Sequence, residues 1–233
     1  MIAVTSFSTR GYEAYGKRFI ASFDKYWPDY IKLYVYIDGE YPEDDHERVV
    51  WVPLENDPER SAFIRACPIR DSLTDYRYRP IRYSNKVFAF TDPWLGEQPI
   101  IWLDGDCETV NPVTPDMLAQ VMPESGQIAS YLARPYYRHT ETGFLGFAPE
   151  AVEFRAEMRK VYTSGELFQL REWHDCSVFD HVRVKFERRG ERFRNLCPDA
   201  MGLDVFPQSA LAKFVVHNKG PKRKQEVYGD AML

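Results

Sequence analysis

The sequence predicts an α/β protein with a central, mostly parallel sheet flanked by helices. Three observations carry that expectation. Short β-branched and aromatic runs at Ile2 to Phe7, Leu33 to Ile37, Val49 to Leu54 and Ile100 to Leu103 read as strands. Segments of helical spacing lie between them, clearest at Tyr12 to Tyr26, where Tyr15, Phe19, Ile20 and Phe23 share one face. Strands alternating with helices imply crossover connections, and therefore parallel pairing.

The elements follow in order. The first strand ends in a polar loop containing Ser6, Ser8 and Thr9, and Asp38-Gly39 closes the second. The charge-rich stretch from Pro53 to Tyr78 offers only a helix near Arg60 to Ala66. Ser84 to Phe90 reads as a helix with Val87, Phe88 and Phe90 on its apolar side, and Ile100 to Leu103 is a fully apolar strand ended by Asp104-Gly105-Asp106. Beyond it come a short helix, Pro115 to Val121, and strands at Ile128 to Ala133 and Thr142 to Phe147. Pro149 opens a helix running to about Tyr162, and another covers Glu172 to Arg183. A last strand, Phe214 to Val216, leads into His217-Asn218-Lys219-Gly220 and a basic tail.

With 233 residues, 44% of them hydrophobic, the chain can bury one sizeable core, and no linker-like segment divides it, so one domain over 1–233 is expected. The net charge of −5 argues against a nucleic-acid partner held by a broad basic surface. No apolar run approaches the roughly 20 residues that span a bilayer, so neither an integral membrane segment nor a signal peptide is expected. Cys67, Cys107, Cys176 and Cys197 lie far apart, without a C-x-x-C pair, and read as free thiols of a cytoplasmic protein.

The strongest chemical signal is Asp104-Gly105-Asp106. Ligands of open α/β sheets bind outside the carboxyl ends of the strands, where this loop must lie. Two carboxylates there suit a hard divalent ion, Mn2+ or Mg2+, with the glycine allowing close backbone approach. The competing reading is an Asp-Gly turn whose carboxylates are solvated. By the same placement rule, the Thr5 to Thr9 loop and Asp38 share the edge of Asp104, so Thr5, Ser6, Phe7 and Asp38 are expected to face a nucleotide.

The stretch Tyr83-Ser84-Asn85-Lys86 through Ile100-Ile101-Trp102-Leu103-Asp104-Gly105-Asp106-Cys107-Glu108-Thr109-Val110 resembles the helix, strand and D-x-D loop of glycogenin-like enzymes in glycosyltransferase family 8. The resemblance implies a GT-A (Rossmann-like) fold, a Lys86 close to the donor, and metal and ribose contacts from Asp104 and Asp106. Thr142-Gly143-Phe144-Leu145-Gly146-Phe147 is similar to the family's small-residue strand, with Glu141-Thr142-Gly143 replacing its asparagine-serine-glycine; Gly143 would lie beside the sugar. Trp173-His174-Asp175 stands where the family has its acidic residue, implying a catalytic Asp175, although the residue by itself reads equally as a helix N-cap. Val215-Val216-His217-Asn218-Lys219-Gly220 resembles the family's H-x-x-G-x-x-K segment. His217 would then complete the metal site and Gly220 align directly. The lysine position holds Arg223, flanked by Lys222 and Lys224, so the diphosphate-binding cation is Lys222 or a neighbour.

The function expected is metal-dependent transfer of a sugar from a nucleotide diphosphate donor, such as a UDP- or GDP-sugar, to a glycan, protein or small-molecule acceptor. Retention of anomeric configuration is implied by the resemblance alone. A haloacid-dehalogenase-like phosphatase is one alternative, but Glu108 occupies the Thr/Val slot of its D-x-D-x-[TV] loop. The other is a non-catalytic sugar- or nucleotide-binding module that keeps the GT-A shape.

Overall fold

The computed structural model describes residues 1–40, 42, 46–69, 75–220 and 226–228. The chain opens with β1 (Ile2–Ser8) and enters a helix in three parts: α1 (Thr9–Gly11), a wide π turn (Tyr12–Gly16) and α2 (Lys17–Tyr26). Next come β2 (Lys32–Asp38), β3 (Val49–Pro53), α3 (Pro58–Ala66), α4 (Pro80–Phe90) and β4 (Ile100–Leu103). The remainder is β5 (Cys107–Thr109), α5 (Pro115–Val121), β6 (Ala129–Leu132), β7 (Glu141–Phe147), α6 (Val152–Thr163), α7 (Asp175–Glu187), β8 (Phe193–Asn195) and β9 (Val215–His217).

Seven strands form one sheet in the order β3-β2-β1-β4-β7-β6-β8. All of its pairings are parallel except the two made by β7. This is the mostly parallel α/β sheet the sequence predicts. Its strands alternate between two aromatic-rich cores: Val4, Tyr36, Trp102 and Leu145 face α4, α6 and α7, whereas Ala3, Val35, Ile101 and Phe144 face α2 and α5. Both faces are covered, so β1 and β4 carry continuous apolar runs instead of polar alternation.

Several boundaries move for identifiable reasons. The Ser84 to Phe90 helix starts at Pro80, whose fixed φ and missing N–H suit the first turn. The predicted Arg60 to Ala66 helix starts at Pro58 behind Asp57, whose carboxylate accepts from the amides of Glu59 and Arg60, both at 3.0 Å. The last helix shifts to Asp175–Glu187, because the segment before it turns. β5 and β8, three residues each, are too short to show a period.

Phe154 is the densest point of the α6 layer, its ring against those of Phe147, Phe179, Phe186 and Phe193 at 5.1 to 6.4 Å. Phe154→Ala should lower the unfolding free energy by about 3–5 kcal/mol, measured by urea denaturation. A loss below about 1 kcal/mol would mean that α6 does not pack as described.

Candidate active site

The site is built on β4, which is buried at all four positions and ends at the carboxyl edge of the sheet. Asp104-Gly105-Asp106 turns there, closed by the Cys107 amide on the Asp104 carbonyl at 2.9 Å. The chain then enters β5, which pairs antiparallel with β9 so that Cys107 faces His217. That small second sheet carries His217 to the loop, its Nε2 3.0 Å from Asp106 Oδ1 and 4.0 Å from Asp104 Oδ2. Although it lies in a loop, Asp106 is only 9% exposed. The reason is that the terminal segment covers it, the Asn218 amide and the Tyr228 hydroxyl both donating to the Asp106 carbonyl.

Two glycines make this closeness possible. A Cβ on Gly105 would fall 2.4 Å from the ring of Phe7, so the glycine serves core packing more directly than ligand approach. A Cβ on Gly143 would fall 2.7 Å from His217 Cε1. Gly143 therefore creates the space for the imidazole, a role its sequence context does not reveal.

Lys86 projects from α4 beneath the loop and is 8% exposed, not solvated as a lone surface lysine would be. Its ammonium donates to Asp104 Oδ1 at 2.6 Å and to the Thr142 carbonyl at 2.6 Å, and it pairs with Asp175 Oδ2 at 2.7 Å. Asp175 is the first residue of α7 behind the N-cap His174, and its carboxylate turns to Lys86 and to the Thr142 hydroxyl. The N-cap alternative is thus resolved by geometry.

Burial disfavours every charge here, and the outcome depends on how partners are shared. For Lys86, Asp104 and Asp175 outweigh burial and hold the ammonium charged. For Asp175, Lys86 and His174 likewise outweigh burial, and the carboxyl is held well below its usual range. Asp104 falls the other way: burial and the neighbouring Asp106 exceed the attraction of Lys86, and its pKa is raised. One ammonium cannot compensate three carboxylates, and a divalent cation beside Asp104 and Asp106 would remove the deficit.

The donor set suits such an ion. Two carboxylate oxygens and the Nε2 of a histidine converge, and the His217 Nδ1 is buried with no hydrogen-bond partner among the described residues. Cys107 lies with Asp106 and His217, their donor atoms within 4.8 Å of one another, but burial pushes its thiol pKa well up, which leaves oxygen and nitrogen donors.

The other expected residues divide. Thr5 and Phe7 are fully buried, Phe7 against Tyr12, Tyr15 and Phe19, so of Thr5, Ser6 and Phe7 the side chain of Ser6 alone is partly open at that edge. Asp38 sits at the same edge, opposite Ser8, with its carboxylate bound by Arg60 at 2.7 Å and Asn85 at 2.9 Å. Gly220 adopts φ +88°, a turn that favours glycine. Lys222, Arg223 and Lys224 lie outside the described residues. Lys219 is the cation the sequence reading passes over: it is held by Glu141, which Arg134 also approaches at 3.5 Å. The available signal was Glu141 itself, the one charged residue in a strand buried at every position.

Gly143→Ala should displace His217 without removing a donor atom, raising the Mn2+ concentration needed for binding while the melting profile keeps a single transition; unchanged Mn2+ affinity in a calorimetric titration would refute the steric role. A second expectation concerns acid stability. Burial raises the Glu141 pKa, but Lys219, His217 and Arg134 outweigh it and hold the carboxyl at about 2, below its ordinary 4.5. This depressed pKa contributes stability that is present above pH 4.5 and is lost as pH falls towards 2. Urea denaturation of Glu141→Gln should show a deficit at pH 7 that shrinks across that window, and a pH-independent deficit would contradict it.

No protein-family profile matches this chain, and neither does any curated protein sequence. Solved structures do. A glycosyltransferase involved in glycosylation of the major capsid of PBCV-1 aligns over 97% of this chain and 99% of its own, with TM-score 0.51 and 13% identity. An active-site mutant of LgtC aligns over 95% and 88%, with TM-score 0.59 and 11% identity. The bifunctional glycosyltransferase WbbM aligns over 95% and 46%, with TM-score 0.58 and 13% identity. At such identities the likeness is one of fold, and the chain has the α/β architecture of GT-A glycosyltransferases.

Proposed function

We propose that this chain is a metal-dependent glycosyltransferase, a single catalytic unit over 1–233 that transfers a sugar from a nucleoside diphosphate donor. The observation that carries the reading is the convergence of Asp104, Asp106 and His217 at the carboxyl edge of the sheet, backed by the Lys86–Asp175 pair. The likeness of fold to glycosyltransferases supports it.

Asp104, Asp106 and His217 would hold a manganese or magnesium ion, which when bound supplies positive charge for the leaving diphosphate. Lys86 fixes the Asp104 carboxylate and keeps Asp175 ionised. As an anion, Asp175 cannot protonate a leaving group; beside the sugar it steadies the positive charge that grows on the anomeric carbon as the bond to diphosphate breaks. Gly143 would lie beside that sugar by the resemblance, while its missing Cβ leaves room for the His217 imidazole. The nucleoside lies along the ends of β1 and β2, against Ser6, the backbone of Thr5 and Phe7, and Asp38, whose carboxylate stays 41% exposed despite Arg60 and Asn85. From the terminal segment, Lys219 beside Gly220 is half exposed and can turn to the diphosphate, with Lys222 in the same role. The resemblance to family 8 supports retention, and the donor would be a nucleotide sugar such as a UDP- or GDP-sugar.

Asp106→Asn should lower manganese-dependent hydrolysis or transfer by about 100-fold or more while the protein stays folded, since the amide still accepts from His217. His217→Ala should raise the manganese requirement at least about 10-fold, the cost of disturbing even an outer partner of a metal ligand. Both are read by nucleoside diphosphate release from a panel of nucleotide sugars. Wild-type turnover in Asp106→Asn would end the metal-loop reading, and phosphate release from simple phosphate esters without sugar transfer would favour the phosphatase.

A further inference from the structure

A second group of potential ligands lies outside the machinery just described. His139 belongs to the connection between β6 and β7, and Glu172 and His174 precede α7. His174 Nε2 is 2.9 Å from Glu172 Oε2, and His139 Nε2 is 3.3 Å from the same oxygen. The three donor atoms all lie within 4.8 Å of one another. The two rings stand nearly perpendicular, at 84°, with centroids 5.0 Å apart. We propose that His139, Glu172 and His174 form a second metal site, of the kind that takes a zinc-like divalent cation.

Spacing supports the assignment. A tetrahedral ion with bonds of about 2.0–2.1 Å holds its donors roughly 3.3–3.4 Å apart, a spacing close to the two histidine–carboxylate distances, 2.9 and 3.3 Å. The histidine–carboxylate composition separates this site from the acidic loop, because two imidazoles suit zinc better than magnesium or calcium.

Unsatisfied valence points the same way. Both ring nitrogens of His139 are buried without a hydrogen bond among the described residues. Its Nδ1 is 3.4 Å from Asp180 Oδ2, a carboxylate that is itself oriented by the Thr140 amide at 2.9 Å and the Thr140 hydroxyl. A carboxylate behind the far nitrogen of a histidine is the usual outer support of a metal-binding imidazole. Arg138 takes the other oxygen of Glu172 at 3.1 Å, leaving Oε2 to the two histidines.

Three protein ligands leave a fourth position for water or an exchangeable ligand. The bound ion joins the β6–β7 connection to the turn before α7, and through His174 it anchors the residue next to Asp175. The proposal does not depend on the chain being a glycosyltransferase.

The test uses the whole chain, stripped of metal by a chelator, in an Asp106→Asn/His217→Ala background that silences the acidic loop. Zinc bound after equilibrium dialysis is counted by elemental analysis, and cobalt serves as a spectroscopic probe. One zinc per chain and a four-coordinate cobalt spectrum are expected. Adding Glu172→Gln or His139→Ala should remove both signals, and Asp180→Asn should weaken zinc binding about 10–100-fold. Glu172→Gln preserves side-chain shape, so circular dichroism should show a folded protein, and its result decides if His139→Ala unfolds. If the double-variant background does not fold, the wild type is titrated instead and should bind two zinc ions, falling to one in Glu172→Gln. No zinc beyond the acidic loop, or zinc retained in Glu172→Gln and His139→Ala alike, overturns the assignment.

Discussion

The buried ammonium of Lys86 is the constraint around which the site is organised. A charge removed from water must find opposite charge and hydrogen-bond acceptors, and Lys86 takes them from three different elements: Asp104 after β4, Thr142 on β7 and Asp175 on α7. One side chain thus ties α4 to the carboxyl edge of the sheet and to the start of α7. Leaving such a group without a partner costs about 3–5 kcal/mol, so the pairing holds these elements in one arrangement more firmly than its net contribution to stability implies.

The charge surplus that remains gives the site its chemistry. Lys86 and His174 hold the Asp175 carboxyl below its usual range against burial, whereas burial and the neighbouring Asp106 raise the pKa of Asp104 against the pull of Lys86. His217, held up in pKa by Asp106 against the effect of burial, supplies some of the missing positive charge. In the proposed reading, a divalent ion would supply the positive charge that this arrangement lacks. Around it, Glu141 holds Lys219, and Tyr228 reaches over the loop, so the terminal segment closes on the site through polar contacts that a charged ligand can exchange.

Much of this was legible because the relevant signals are local. Apolar runs marked β1, β2 and β4, and the carboxyl-end rule then placed the acidic loop. The misses have physical causes. Phe7 looked available at a strand end, yet strand alternation turns it into the core, where it packs under Gly105. Lys86 was placed near the donor by resemblance alone, because nothing within its own helix reveals that three acceptors from distant segments surround it. Lys219 was passed over for the denser basic run after it, because its partner Glu141 is 78 residues away in sequence.

The sequence by itself determined the sheet class, the position of the acidic loop at a strand end and the identity of the titratable groups, since each follows from periodicity or residue chemistry. Only the tertiary structure decided which of those groups meet. The β5–β9 pairing, three residues long and without a visible period, is what brings His217 to Asp106 across 111 positions, and the reversed direction of β7 is what sets Thr142 and Gly143 beside Lys86 and His217. Long-range pairings of this kind are chosen by the global burial of both faces of the sheet, a property of the whole chain and of no single segment.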